Sequence, residues 1–236
     1  MGSCMRRLPF HPEDGVGPKR ITLTPEMVKH NSRGARWRFN NALIKARVYV
    51  MHRGLDAPIA KPEPTGIWFI DEMNPRLFSN NLVLPYLVAI WEDYFKSSFT
   101  TLLKYSPQRE AALKRSRLSQ TQLEAIAAGN QSVEQALAET LSFQRPSVIT
   151  ENFKLIDPKL DVGGAMRKPY RRRKISLFDS IESRIEQRNE FVHTGQMDTN
   201  FTDKYLQSTL QDFEVAADRA YHCFAGHYGF VARHDF

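Results

Sequence analysis

An arginine, an asparagine and a histidine stand close together near the end of this chain, and their side chains suit chemistry on a phosphodiester. Arg188 and Asn189 are followed by three residues and then by His193. Histidine titrates near neutral pH and can give or take a proton, whereas a guanidinium can hold two phosphate oxygens as negative charge builds up. The three side chains could therefore support cleavage of RNA by its own 2′-hydroxyl, a reaction that needs no metal ion.

These residues fall in a predicted helix that spans residues 176–195. Ser176 with Asp179 three residues later is a pattern that starts helices, and Gly195 is a residue type that ends them. His193 is therefore expected in the last turn. Apolar residues recur along the segment at the spacing of one helix face, namely Phe178, Ile181, Ile185 and Val192.

Arg188 takes a place in this stripe where another apolar residue would be expected. A buried guanidinium costs on the order of several kcal/mol unless it meets an anion or several acceptors. Its partner could be a phosphate, or it could be backbone carbonyls or the carboxylates of Glu92 or Asp93. On a helix, Asn189 and His193 lie about 40° apart on one face, and Arg188 and His193 lie about 140° apart.

The surrounding sequence predicts an all-α core, a bundle of four or more helices. A helix is expected to begin at Asn80 or Asn81, with Pro85 in its first turn. Its aromatic stripe should pack in the core instead of stacking on bases, and comprises Leu84, Val88, Trp91, Phe95, Phe99 and Leu102. The last helix should lie antiparallel to the helix at 176–195, with the stripe Leu206, Leu210, Phe213, Ala217, Ala220 and Phe224. Two further helix starts show a serine followed three residues later by a glutamine, at Ser119 and Gln122 and at Ser132 and Gln135.

The first eighty residues are expected to form an N-terminal extension. Its structure is left open by the sequence, which allows an α+β arrangement. Residues 1–34 mix proline, glycine and charge, and we expect a tail with a short strand or turn at 21–23. In residues 35–53 the apolar pattern fits neither period, so helix and strand are equally favoured. Residues 54–80 are expected to be a linker, with a strand near 66–70.

The R-x4-H pattern of Arg188 and His193, late in an amphipathic helix, resembles the motif of the HEPN superfamily, helical domains that include many metal-independent ribonucleases. Asn189 directly after the arginine, the closing Thr-Gly pair and the long amphipathic helix that follows strengthen the resemblance. The run Leu-Ser-Phe-Gln at 141–144 is similar to bacterial members. The resemblance covers roughly residues 82–228, so we expect a HEPN-like domain at 81–230 and the N-terminal extension at 1–80.

The resemblance implies a function. HEPN ribonucleases pair so that two copies of the motif line one cleft, which implies a homodimer with a composite active site here. His193 would act in acid–base catalysis, Arg188 would hold the phosphate, and Asn189 would position His193 or the ribose. The expected product carries a 2′,3′-cyclic phosphate. Toxins and antiviral-defence effectors are the commonest roles of such proteins, and an inhibitory or activating partner is expected.

Six basic residues fall within eight positions just before the motif, namely Arg167, Lys168, Arg171, Arg172, Arg173 and Lys174, which we call the basic cluster. The formal net charge of the chain is +7, and charge of this sign favours polyanionic partners. Arg171, Arg172, Arg173 and Lys174 are therefore expected to contact RNA. The same run also fits a solvated linker or a nuclear localisation signal.

Several other classes lack their usual patterns. The sequence has no long apolar run or signal peptide, and with Cys4 and Cys223 as its two cysteines it suits a reducing cytoplasm, so a cytoplasmic protein away from the membrane is expected. His222, Cys223 and His227 could suggest a metal site, but the two histidines are five residues apart and do not share a helix face, so no metal is expected, and no cofactor motif occurs. The alternative function is a non-catalytic HEPN-like module that binds RNA, a nucleotide or a partner, and a third is a purely structural helical dimer.

Overall fold

The computed structural model describes residues 25–56 and 63–232, and within these ranges all regular secondary structure is helical. The predicted all-α class is therefore confirmed. The strand or turn predicted at 21–23, and Cys4, lie outside the described residues. The helices are α1 (Pro25–Asp56), α2 (Trp68–Glu72), α3 (Pro75–Tyr105), α4 (Arg109–Arg115), α5 (Gln120–Ala127), α6 (Val133–Glu139), α7 (Pro146–Ile156), α8 (Val162–Arg167), α9 (Leu177–Thr194) and α10 (Asp203–Tyr228).

Helix α3 lies in the middle of the core. Its predicted apolar stripe is buried throughout, so the aromatic residues pack in the core as expected. Trp91 contacts Phe95 and Phe213, with ring centroids 4.5 and 5.1 Å apart, and its indole N–H donates to the carbonyl of Gln144 at 2.9 Å. The aromatic rings of α3 therefore join α10 and the segment before α7 in one apolar cluster.

The predicted start of α3 at Asn80 or Asn81 is wrong. The helix begins at Pro75, and the side chain of Asn74 caps it by accepting a hydrogen bond from the N–H of Arg76 at 2.9 Å. Pro85 consequently lies inside the helix. Asn80 and Asn81 are buried and donate to backbone carbonyls, so residues of a capping type serve here as tertiary contacts.

Helix α1 replaces the uncertain segment at 35–53. It lies antiparallel to α3, because Arg38 contacts Ser97 whereas Tyr49, further along α1, contacts Ser79. Its inner face joins the same apolar cluster as α3 and α10. The predicted strand near 66–70 and the linker at 54–80 are wrong, because this stretch contains the end of α1, all of α2 and the first turns of α3.

The last two helices form an antiparallel pair, as predicted. Ser180 of α9 contacts Asp212 of α10, and Arg184, one turn later in α9, contacts Tyr205, earlier in α10. The apolar stripe predicted for α10 is buried at every position. Both predicted serine–glutamine capping boxes are also present, at the starts of α5 and α6.

Candidate functional site

Helix α9 starts and ends where its sequence predicts. The hydroxyl of Ser176 accepts a hydrogen bond from the N–H of Asp179 at 3.2 Å and caps the helix. Gly195 ends it with a φ of 73°, a left-handed conformation that suits glycine, and its N–H donates to the carbonyl of Phe191 at 3.0 Å. His193 therefore lies in the last turn.

The turn that follows α9 is fixed to α3. Asn81 donates to the carbonyl of Asp198 and accepts from its N–H, both at 3.1 Å, and Asn80 donates to the carbonyl of Phe201 at 2.7 Å. The carboxylate of Asp198 also accepts a hydrogen bond from Gln187 of α9 at 2.8 Å. These contacts set the direction in which the end of α9 points.

The second half of α9 projects from the core. Its fully buried residues are Leu177, Phe178, Ile181 and Ile185, all in the first half. Val192, predicted to continue the buried stripe, is 50% exposed, and that prediction is wrong because the bundle does not extend this far along α9. Phe191 packs edge-on against Phe78 of α3 with ring centroids 6.0 Å apart, and Phe78 and Leu82 are themselves about half exposed. The end of α9 is thus bordered by an apolar surface.

Arg188 is held toward the face that Asn189 shares with His193. Its Nη1 donates to the side-chain oxygen of Asn189 at 2.9 Å. Its Nε is buried, and no acceptor in the described part of the chain contacts it. Glu92 and Asp93, the carboxylates considered as structural partners of Arg188, have other contacts. Glu92 accepts a hydrogen bond from Gln144, and Asp93 lies 3.9 Å from Arg38.

His193 is exposed and makes no side-chain hydrogen bond to any described residue. Asn189 lies one turn before it on the same face, and the amide nitrogen of Asn189 is not engaged by the described residues. The structure therefore brings Arg188, Asn189 and His193 together at one accessible helix end. This group can offer a fixed cation, an amide donor and a titratable imidazole to a polyanion.

The basic cluster lies at the opposite end of α9. From Ser176 to His193 the helix rises about 26 Å at 1.5 Å per residue. A single chain therefore does not bring Arg171, Arg172, Arg173 and Lys174 next to the motif, although they precede it closely in sequence.

The four predicted RNA-binding residues have different surroundings. Arg173 binds both carboxylate oxygens of Asp212, at 2.5 and 2.6 Å, so its guanidinium is used within the protein. Arg171 lies over the ring of Tyr170, 5.0 Å from its centroid. Arg172 and Lys174 are exposed and contact no described side chain. That all four contact RNA remains a prediction.

Sequence reasoning missed two residues that shape this loop, Tyr170 and Arg219. Arg219 of α10 donates to the carbonyls of Lys168 and Pro169 at 2.5 and 2.8 Å, and it lies over the ring of Tyr170. The position of Tyr170 within an arginine-rich run could have indicated cation–π contacts. The role of Arg219 could not be read from local sequence, because its partner Pro169 lies fifty residues earlier in the chain.

The residues considered for a metal site have other contacts. His227 lies 3.0 Å from the carboxylate of Asp157, and Cys223 contacts the carbonyl of Asp161 at 3.6 Å. Burial raises the pKa of the Cys223 thiol, which favours the neutral form over the thiolate that binds metals. Within the described ranges, no group of three or more His, Cys, Asp or Glu side chains is placed to hold a metal ion.

No protein-family model, no curated protein and no solved structure matches this chain. Among the helices of residues 25–56 and 63–232, none is both long enough and apolar enough to cross a membrane. The fold and site define an all-α protein with a polar constellation at the projecting end of one helix. Its function has to be inferred from those side chains.

Proposed function

We propose that this protein is a metal-independent endoribonuclease of the HEPN type that acts as a homodimer. The observation that supports the proposal is the state of Arg188. Its Nη1 donates to Asn189, its buried Nε has no acceptor among the described residues, and no described carboxylate pairs with it, so the guanidinium can bind an anion with its remaining N–H groups. The fixed cation stands beside Asn189 and His193, in the order and spacing of the R-x4-H motif.

The proposed reaction is attack of a ribose 2′-hydroxyl on the adjacent phosphate. His193 takes the proton of the 2′-hydroxyl or gives one to the leaving 5′-oxygen. Arg188 donates to the phosphate oxygens as charge accumulates in the transition state, and the amide of Asn189 positions the ribose or the imidazole. The product carries a 2′,3′-cyclic phosphate and a free 5′-hydroxyl.

A second copy of the chain would complete the site. One motif supplies one histidine, whereas the reaction needs a base and an acid on opposite sides of the phosphate. The exposed apolar residues beside the motif, Phe78, Leu82 and Val192, offer a surface for such pairing. We therefore place the dimer contact at the projecting end of α9, with both motifs facing one cleft.

The basic cluster has a separate role in this proposal. Arg172 and Lys174 are exposed, and they would bind phosphates of the RNA away from the cut bond and set affinity without base specificity. As in other proteins with this motif, the activity would serve as a toxin or in antiviral defence, restrained or triggered by a partner.

The test is incubation of the purified protein with RNA in EDTA, followed by analysis of the product ends. His193→Ala should lower the cleavage rate by about 10²–10⁴-fold, because a positioned acid or base contributes that much. Arg188→Ala should lower it as well and weaken RNA binding. His222→Ala, which removes an exposed histidine of α10, is the matched control and should cleave at the parental rate.

Cleavage by His193→Ala at the parental rate would rule the proposal out. So would a requirement for a divalent ion with a 3′-hydroxyl product. RNA binding without cleavage by the parental protein would instead establish the second candidate, a non-catalytic RNA-binding module. That candidate is favoured by the separation of the basic cluster from His193, since the cluster could bind RNA without the motif.

A further inference from the structure

Helix α1 carries apolar side chains on two opposite faces. The inner face, which includes Phe39, Leu43 and Val50, is buried in the core. The outer face carries Trp37, Ile44, Val48 and Met51, which are 54, 52, 44 and 63% exposed. These four lie within an arc of about 60° and form a line about 21 Å long. Steps of seven, four and three residues are the spacing of a helix–helix seam.

The cations of α1 differ between the two faces. On the inner side, Arg36 pairs with a carboxylate of α10 at 3.3 Å, and Arg47 pairs with another at 2.7 Å. On the outer side, Arg33 lies one turn before Trp37 at the N-terminal end of the stripe and Lys45 lies beside the stripe, and no described carboxylate contacts either side chain. The sequence from 28 to 52 contains no aspartate or glutamate. The outer stripe is therefore apolar along its length, with a cation at its N-terminal end and another along one side.

We propose that this stripe binds an acidic amphipathic helix of a partner protein. Leucine or isoleucine side chains of the partner would pack between Trp37, Ile44 and Met51, as knobs do in a coiled coil. One glutamate near an end of the partner helix would pair with Arg33 and another along its side would pair with Lys45, which supplies orientation and selectivity. The inference stands apart from the proposed nuclease function, because it concerns another surface of the protein.

Other occupants fit these observations less well. In a two-fold antiparallel pairing of two copies centred on Ile44, the two Lys45 side chains would lie beside each other and repel. Single-stranded RNA stacks on aromatic rings, and Trp37 alone among the four stripe residues has one. A lipid surface requires a broad apolar face, whereas Asn40 and Asn41 border this narrow seam on either side.

The probes are two labelled synthetic helical peptides of 21 residues with the same heptad stripe of leucine and isoleucine. One carries glutamate at its edge positions and the other carries lysine. Binding to the full chain is measured by fluorescence anisotropy. The glutamate peptide should bind with a Kd of about 1–50 µM, at least tenfold more tightly than the lysine peptide.

Two variants of the stripe and one matched control locate the contact. Ile44→Glu should weaken binding of the glutamate peptide at least tenfold, because it places a like charge in the seam. Lys45→Glu should reverse the preference toward the lysine peptide. Leu123→Glu, which changes an equally exposed apolar residue of α5, should bind like the parental protein. All altered residues are exposed, and circular dichroism checks that the helix content is retained.

Equal affinity for the two peptides, or no binding of either, would overturn the proposal. Phosphatidylglycerol vesicles that bind the protein through Ile44, when the glutamate peptide does not, would assign the stripe to a lipid surface. A parental dimer that Ile44→Glu converts to a monomer in sedimentation velocity would assign it to a second copy. These readouts are independent of RNA cleavage, so failure here is distinct from failure of the nuclease proposal.

Discussion

Arg173 is predicted to stabilise the fold, in contrast to the neighbouring Arg172. Its guanidinium binds both oxygens of Asp212 and donates to the hydroxyl of Ser208 at 2.9 Å. The Asp212 side chain is only 5% exposed, and Ser180 is its other described donor, at 2.9 Å. Arg173→Gln would therefore leave a buried carboxylate with one hydroxyl contact.

The expected loss of stability follows from this geometry. Breaking a buried ion pair costs about 3–5 kcal/mol, because the remaining charge is uncompensated. Arg173 is itself 30% exposed, so water screens the pair, and we reduce the expected loss to about 2 kcal/mol. For a chain of this size that loss lowers the unfolding temperature by about 4–8 °C. Arg172→Gln changes an exposed side chain and should alter stability by less than about 0.5 kcal/mol.

The assay is thermal and urea unfolding of Arg173→Gln, Asp212→Asn and the double variant, with Arg172→Gln as the matched control. The double variant should lose less stability than the sum of the single losses, because the pair is already broken by either change. RNA affinity, measured over a range of salt concentrations, should fall with Arg172→Gln, and its dependence on salt should become less steep. If Arg173→Gln unfolds with the parental protein and its loss is additive with that of Asp212→Asn, the stabilising role of the ion pair is refuted.

Two further predictions concern local structure. Gly195→Ala should lower the free energy of unfolding by about 1 kcal/mol, because the left-handed φ of 73° strains an alanine even though the space around it is open. Chemical unfolding measures this loss, and a variant as stable as the parental protein would contradict the prediction. Hydrogen bonds from the backbone of Thr65 and then from its hydroxyl and the N–H of Gly66 lower the pKa of Asp71, despite its burial. The ionised Asp71 side chain should contribute its full stabilisation of the fold above the unfolded pKa of about 3.9. That stabilisation should disappear as pH falls through the lower folded pKa. At acidic pH, the free energy of unfolding of Asp71→Asn should therefore depend less steeply on pH than that of the parental protein. Identical pH dependence of the two proteins would contradict this.

Local sequence patterns were sufficient for the helices that position the candidate site. The start of α9 depends on Ser176 and its end on Gly195, and both act through backbone groups within one turn. The apolar spacing of α10 reports one buried face, so the antiparallel pair followed from periodicity and a short turn. The grouping of Asn189 with His193 on one face likewise needed only helix geometry.

Patterns failed where a residue has two uses or a distant partner. Helix α1 has apolar side chains on both faces, so its pattern matched neither a helix nor a strand with one buried side. Asn80 and Asn81 are of a type that caps helices, yet the buried positions they occupy let them bind carbonyls of the turn after α9.

Only the tertiary structure decided how the site is presented. The bundle ends before the last turns of α9, which leaves Val192 exposed. Packing one turn earlier buries the Nε of Arg188, and no described residue accepts a hydrogen bond from it. The tertiary structure also separates Arg173, which Asp212 binds, from the exposed Arg172 beside it, although the two are identical in type and adjacent in sequence. The physical reason is that burial and ion pairing depend on side chains brought in from elsewhere in the chain, whereas caps and periodicity depend on neighbours within a few residues.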